Sequence, residues 1–332
     1  MDSSIIQDSQ VQQHFLNASR EQLIAYIDQL QSALRRYSSN PVIIPPRIVS
    51  STPDGTSTFL IMPVVDDVYC GVKSLGFSST SGQGFVGAVV VTDSKSGSLV
   101  GVVQAKQLTA VRTAMSSCIG LRDLSLFGPS VKITVFGTGL QAFWHLYICC
   151  KLLQGKSITA TIVYRSSPMD TTSLQAHLPD LTIGQVSLSD KNAVPQLVGQ
   201  SDIIFGCVPS TDPTILQEHF QNFSGPGYTY ISLIGSYKSH MHECDTPLVE
   251  LFKTQDTKIL VDSIEHTLLE SGELIDAEVK PTHLLELGQL TPNTPVPKTQ
   301  CGNNRKITLC KIVGLAIMDI SMAQALLTDL GK

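Results

Sequence analysis

Three cations in this chain sit in settings where a charge is costly. Arg47 follows Pro45-Pro46, Lys73 interrupts the strand-like run YCGVKSLGF, and Arg112 opens a helix at LTAVRTAM. A charged group among apolar neighbours needs a partner. Taken singly, each reads as a surface cation or one half of an internal ion pair. Taken together they could clamp a carboxylate, with arginine giving bidentate hydrogen bonds and lysine a point charge or a proton. His240, His242 and Glu243 form a second polar cluster. It lacks a third ligand at standard spacing, where catalytic zinc sites carry three, so it reads as a polar loop and no metal is predicted.

A third kind of chemistry lies in Val131 to Leu153, VKITVFGTGLQAFWHLYICCKLL. Six residues suited to a buried parallel strand lead into the turn Gly137-Thr138-Gly139, with Ala142 completing G-x-G-x-x-A spacing. Gly137 permits the tight turn, Gly139 lets backbone approach a pyrophosphate, and Ala142 lets helix and strand pack closely. The free N–H groups of the helix start would face the anion. The spacing alone is weak, because glycines also punctuate ordinary turns; strand, turn and helix in this order make it a dinucleotide site. The next strand ends Val163-Tyr164-Arg165-Ser166-Ser167. An NAD-preferring site would carry an acid there for the ribose 2′-hydroxyl, whereas Arg165 with Ser166 and Ser167 suits a 2′-phosphate. NADP(H) is therefore the predicted cofactor, with NAD(H) possible.

The elements that must position these residues change character along the chain. Residues 10–37 have helical apolar spacing, with a restart at Ser19 and Gln22 three residues on. From Pro41 short strands follow (VIIPPRIVS, STFLIMPVV, YCGVKSLGF, GAVVVTDSKSGSLVGVVQ), with a hairpin turn at Asp93–Gly97. Leu108–Leu124 reads as a helix introduced by Thr109. After the glycine turn, strands are predicted at 159–164, 183–188, 202–208, 228–235 and 258–262, alternating with helices. Pro281–Asn304, with Pro281, Pro292, Pro295 and Pro297, reads as a loop crossing between domains. Ile312–Leu330 is an amphipathic helix, after a short strand ITLCK, that returns to the first domain. The fold class is α/β: a Rossmann-type doubly wound domain over 128–307, and a discontinuous α+β substrate-binding and dimerisation domain over 1–127 and 308–332. Trp144 reads as core.

Composition narrows the function classes. The chain has 332 residues and 42% hydrophobic content, enough for two domains. A net charge of −5 gives no basic field for nucleic acid or anionic membrane. No apolar run is long enough for a membrane span, and MDSSIIQDSQ lacks a signal-peptide layout. None of the eight cysteines forms a C-x-x-C pair, which suits reduced thiols in the cytosol. A cytoplasmic protein acting on a small molecule is expected.

Five motifs carry a resemblance: Met62-Pro63, Gly71–Lys73, LTAVRTA at Leu108–Ala114, FGTGLQA at Phe136–Ala142 and KIVGLAIMDI at Lys311–Ile320. In order and spacing over roughly residues 40–325 the chain resembles the ornithine cyclodeaminase/mu-crystallin family. The resemblance implies a homodimer with a Rossmann domain, a nicotinamide dinucleotide, and an amino or imino acid substrate. It aligns Arg47, Lys73 and Arg112 with the family's substrate-carboxylate and active-site cations. It aligns Thr113, Leu140 and Gln141 with dinucleotide contacts, together with Val208-Pro209-Ser210 and the Ile312–Gly314 segment.

The sequence departs from the cyclodeaminases after YTYISLIGS, where Gly235-Ser236-Tyr237 replaces a G-x-D whose aspartate handles the substrate amine. Gln104 also replaces an acid that often precedes LTxxRT. Without the aspartate the amine-handling half of cyclodeamination lacks its carboxylate. Reduction of a ready-made cyclic imine needs only a carboxylate clamp, a hydride and a proton. The expectation is thus an NAD(P)H-dependent oxidoreductase acting on C=N. Its substrates would be cyclic ketimine carboxylates of the Δ1-pyrroline-2-carboxylate or Δ1-piperideine-2-carboxylate type, and its products proline or pipecolate. Arg47 and Arg112 would hold the carboxylate, Lys73 or a water would manage the proton, and Tyr237 would wall the substrate and donate a hydrogen bond. The alternatives are an ornithine cyclodeaminase with recycled NAD and a crystallin-like binding protein with little catalysis.

Overall fold

The computed structural model describes residues 4–331 apart from 83, 223, 224, 292 and 303; Met1, Asp2, Ser3 and Pro292 lie outside the described residues. The first part of the chain runs β1 (Ser4–Ile6), α1 (Asp8–Asn17), α2 (Arg20–Ser39), β2 (Ile48–Ser51), β3 (Ser57–Val65), β4 (Cys70–Ser78), β5 (Phe85–Thr92), β6 (Leu99–Gln104) and α3 (Ala105–Ile119). The alternating part runs β7 (Ser130–Phe136), α4 (Leu140–Leu152), β8 (Ser157–Tyr164), α5 (Thr172–His177), β9 (Thr182–Ser187), α6 (Ala193–Gln200), β10 (Ile203–Gly206), α7 (Gln217–Asn222) and β11 (Tyr228–Leu233). Then come α8 (Thr246–Thr254), β12 (Ile259–Val261), α9 (Ile264–Glu270), α10 (Gly272–Asp276), β13 (Leu284–Glu286), β14 (Thr299–Cys301), β15 (Arg305–Lys311) and α11 (Ala316–Leu330).

The chain divides into two units, 1–115 with 314–332, and 116–313. In the first, six strands form one sheet in the order β1-β6-β5-β4-β3-β2, antiparallel except for the parallel β1–β6 pair. The Ser19–Gln22 capping box restarts the helical hairpin: the Ser19 hydroxyl accepts the Gln22 N–H, and the Gln22 side chain accepts the Ser19 N–H. Helix α11 packs on β3 to β6 and against α2. Residues opposed across strands share a face, so Met62, Lys73, Val89, Val103 and Ile6 form one row. From Lys73 onward that row is buried. On the opposite face Ile48, Phe59, Ile61, Val65, Val86 and Leu99 are exposed.

The second unit is a doubly wound sheet, β13-β12-β15-β11-β10-β7-β8-β9, all parallel, with β14 antiparallel on β15. Strands buried on both faces read as continuous apolar runs, and every residue of β11 is buried. The chain winds outward through β7, β8 and β9, then returns to place β10 on the other side of β7. That reversal is the topological switch point where such sheets bind ligands at their carboxyl ends. Trp144, on α4, is fully buried.

Several boundaries differ from the sequence reading. The run VIIPPRIVS is not one strand: a 3-10 turn occupies Pro41–Ile43, and Pro45-Pro46 delays the strand to Ile48. Helix α3 starts at Ala105, not at Leu108, and ends at Ile119, so Arg112 lies at mid-helix. The proline-rich stretch 281–304 is not a crossing loop; it lies within the second unit and carries β13 and β14. Sequence placed the unit boundaries at 127/128 and 307/308, whereas contacts place them at 115/116 and 313/314. At the second boundary the cause is β15, which lies in the sheet's interior between β11 and β12. Gln104, left without a role by its sequence setting, accepts the Asp8 N–H at 2.8 Å and so anchors the start of α1.

Ile320 on α11 is fully buried. Replacing it with alanine leaves a cavity that costs about 2–5 kcal/mol. Chemical unfolding of Ile320→Ala is therefore expected to show a lower midpoint with an unchanged slope.

Candidate functional site

The first unit gathers two of the three cations on one carboxylate. Lys73, carried on β4, is 1% exposed; Arg112, on α3, is 5% exposed. Lys73 Nζ donates to Asp319 Oδ1 at 2.7 Å and to Thr109 Oγ1 at 2.9 Å. Arg112 Nε donates to the same Asp319 oxygen at 3.1 Å. Asp319 Oδ2 is buried and makes no hydrogen bond among the described residues. Burial favours the neutral form of each group. It pushes the Lys73 amine down to about 8, because Asp319, which favours the ammonium, offsets it only in part and Arg112 opposes it further. For Asp319 the balance is reversed: burial raises its pKa, but Arg112 and Lys73 outweigh that, and its carboxyl ionises below its usual range.

Other residues of this unit frame the cluster. Thr113 Oγ1 donates to the Thr109 carbonyl at 2.7 Å, which turns it back along its own helix. Gly314 has φ +96°, and a Cβ there would stand 3.3 Å from Arg112 Nη2. Glycine thus keeps space beside the guanidinium. Arg47 is exposed and immediately precedes β2. Ile48 pairs with Ile61, so Arg47 extends the row that contains Met62 and Lys73. Two strand spacings separate it from Lys73, about 10 Å. Arg47 is therefore on the row of the lysine, outside the buried ion cluster.

In the second unit the glycine turn stands at the switch point. Gly137 has φ +115°, and a Cβ there would meet the Cys207 carbonyl at 3.0 Å and Val208 Cγ1 at 3.1 Å. The residue must be glycine on both counts. Around Gly139, the N-cap of α4, a Cβ would find nothing within 4 Å, so the backbone there lies open. Thr138 and Gly139 are exposed, Leu140 and Gln141 half-buried, and Ala142 is packed inside. Gln141 Oε1 is buried and makes no hydrogen bond among the described residues. Open backbone and a 13-residue helix with no side-chain cap fit the pyrophosphate end of a dinucleotide.

Arg165, Ser166 and Ser167 are exposed directly after β8, whose Val163 pairs with Phe136. They stand beside the glycine turn, where a ribose substituent would lie in this fold. Val208, Pro209 and Ser210 follow β10 on the other side of Gly137. Ile312 is buried and its N–H bonds the Leu233 carbonyl at 3.0 Å, extending the β11–β15 pairing. Tyr237 is 38% exposed on the turn after β11.

The polar cluster near His240 resolves into unrelated pairs. His240 is exposed, His242 bonds Asp276 at 2.8 Å, and Glu243 is fully buried against backbone N–H groups. Among the described residues no group of three His, Cys, Asp or Glu is arranged to hold a metal. Sequence reasoning missed Asp319, although KIVGLAIMDI had been singled out. A lone acid amid the apolar residues of a helix carries the same signal that marked the three cations. It also missed Glu273 and Lys311, which join Glu243 in a second buried ionic group.

The profile of the ornithine cyclodeaminase/mu-crystallin family matches residues 7–330. The chain belongs to that family. An uncharacterized protein of Saccharomyces cerevisiae is 39% identical to it, over 99% of this chain and 97% of that one. The ketimine reductase mu-crystallin of Mus musculus is 24% identical, covering 95% of this chain and 93% of that one. Among solved structures, the Delta(1)-pyrroline-2-carboxylate reductase of Thermococcus litoralis, in complex with NADH and L-proline, has the same fold. It aligns with a TM-score of 0.71 at 20% identity over 98% of both chains.

Asp319 is the group that favours the charged form of Lys73 against its burial. The Lys73 amine is expected to lose its proton as pH rises through about 8, followed by side-chain lysine NMR. In Asp319→Asn, with the stabilising anion gone, the transition should move to lower pH. An unmoved transition would show that Asp319 does not govern the amine.

Proposed function

We propose that this chain is an NAD(P)H-dependent reductase of cyclic ketimine carboxylates, of the Δ1-pyrroline-2-carboxylate or Δ1-piperideine-2-carboxylate type. The products are cyclic amino acids such as proline or pipecolate. The observation that carries the reading is the buried Lys73–Asp319–Arg112 cluster, with Thr109 on the ammonium. It is a preorganised cationic site fit for a small carboxylate and a proton. The names of the mouse and Thermococcus relatives point to the same reaction class.

Each residue has a distinct task. Arg112, fixed through its Nε by Asp319, presents its planar guanidinium to the substrate carboxylate. Arg47 adds a second charge from the end of the same row. Lys73, with its pKa near 8, holds a proton at neutral pH yet can give it up, as a general acid toward the imine nitrogen requires. A nicotinamide dinucleotide, when bound, supplies the hydride. Gly137, Thr138, Gly139, Leu140 and Gln141 would hold its pyrophosphate, with Thr113, Val208, Pro209, Ser210, Ile312 and Gly314 as further contacts. Arg165, Ser166 and Ser167 would receive a 2′-phosphate, which favours NADP(H) over NAD(H). Tyr237 stands where a cyclodeaminase aspartate would be. A phenol offers no carboxylate to serve as base or counter-ion to an ammonium; it walls the ring and donates a hydrogen bond.

The setting follows from the same features. The exposed apolar face around Ile48, Phe59, Ile61 and Val65 supports a homodimer closed through that sheet. All eight cysteines are free thiols, which supports a cytoplasmic location. Among the described residues no helix is long and apolar enough to cross a membrane.

NADPH oxidation measured across five- and six-membered cyclic ketimines, linear imino acids and ornithine tests the reading. Cyclic ketimine carboxylates are expected to be reduced while ornithine stays inert. Release of ammonia from ornithine with catalytic NAD would replace it with cyclodeamination, and no turnover at all with a binding role. Arg112→Ala is expected to lower kcat/KM several hundredfold or more, since orphaning a buried charge costs about 3–5 kcal/mol. Near-normal kinetics in that variant would remove the clamp from the mechanism.

Cofactor choice has its own test. Arg165→Ala should raise the KM for NADPH and leave that for NADH nearly untouched. Equal changes for both would show that Arg165 does not read the 2′-phosphate.

A further inference from the structure

Glu243 takes no part in the chemistry above, yet it is fully buried at the carboxyl ends of β10 and β11. Its Oε1 accepts the Val208 N–H at 3.3 Å. Its Oε2 accepts the N–H groups of Gly235 at 2.7 Å and Ser236 at 3.2 Å. One side chain thus ties together the turns that follow two adjacent strands. The fit is close: a Cβ on Gly235 would fall 2.1 Å from the Val208 carbonyl oxygen, and one on Gly206 would fall 2.6 Å from Glu243 Oε1.

A second layer secures the same turn from below. Ser236 Oγ donates to Glu273 Oε1 at 2.6 Å and bonds the Lys311 ammonium. Lys311 lies 3.3 Å from Glu273 and 3.8 Å from Glu243, all three fully buried. Burial, opposed by Lys311 and reinforced by Glu273, pushes Glu243 up to about 7. Buried ionic groups stabilise a fold no better than apolar residues of the same volume, and their best-attested use is to specify one arrangement. What this group specifies is the relation between the Val208–Ser210 and Gly235–Tyr237 turns.

We propose that Glu243 is a positioning residue that locks these two turns together, so that dinucleotide affinity and the placement of Tyr237 are set by one buried carboxylate. The inference rests on the dinucleotide reading above and adds to it a residue that touches neither cofactor nor substrate. Glutamine at 243 offers one acceptor oxygen instead of two, so either the Val208 N–H or the Gly235 and Ser236 N–H groups lose their partner. Glutamine at 273 removes the same formal charge from beside Lys311 but leaves every one of those N–H groups bonded.

The experiment is calorimetric titration of the full-length protein with NADPH, alongside thermal unfolding, for wild type, Glu243→Gln and Glu273→Gln. Glu243→Gln is expected to weaken NADPH binding about tenfold, the scale of one lost hydrogen bond to a charged group. Glu273→Gln should bind NADPH within about twofold of wild type at a comparable loss of thermal stability. Equal weakening in both variants, tracking stability, would overturn the proposal, and so would unchanged affinity in Glu243→Gln. Should Glu243→Gln fail to fold, Glu243→Asp keeps the charge but is a methylene short of spanning both turns, and must weaken NADPH binding in the same sense. Wild type that binds neither NADPH nor NADH would defeat the dinucleotide reading itself, an outcome visible before any variant is compared.

Discussion

A lysine and an arginine share one oxygen of a buried aspartate, and the first unit is arranged around that constraint. Taking three charges out of water is expensive, and the mutual attraction repays it only with close geometry. The geometry comes from three separate elements: β4 supplies the ammonium, α3 the guanidinium and α11 the carboxylate. None of them could shift by a residue without exposing one charge to an apolar face. The cluster therefore helps to fix the register of the sheet under its helix. It also sets a chemical property, because the same burial that makes the pair costly brings the lysine proton within reach of neutral pH.

At its glycine turn the second unit works by backbone. Gly137 is forced by its φ and by the nearness of Cys207, while Gly139 is open because nothing is to stand there. Close approach of chain to chain on one side and open space on the other is what a strand-to-helix turn needs to present N–H groups to an anion. Turn and switch point coincide, so topology and local sequence agree at this place.

Much of this was legible in the chain because it depends on local rules. The capping box at Ser19, the hairpin at Asp93–Gly97 and the glycine turn each declare themselves within a few residues, and the structure has all three. What was not legible depends on partners far along the chain. Asp319 meets Lys73 across 246 positions, and an acid in a helix says nothing of where its partner lies. β15 reads as a short strand before the last helix, and only pairing shows that it lies between β11 and β12. The same long-range pairing moved the second unit boundary. The His240–Glu243 cluster misled in the other direction: neighbours in sequence, they face different partners in space.

The late position of β15 and α11 also governs how the protein can be made. A ribosome delivers Lys73 246 positions before Asp319, so a buried ammonium cannot meet its carboxylate until that later segment has emerged. Until then one face of the first sheet lacks α11, and the second sheet has a gap between β11 and β12. Neither unit can reach its final packing before that segment emerges, however early its other strands do. The β15–α11 segment thus acts as a common latch in biosynthesis: a chain cut short before it leaves one face of the first sheet uncovered and the second sheet gapped, with the edges of β11 and β12 open to aggregation.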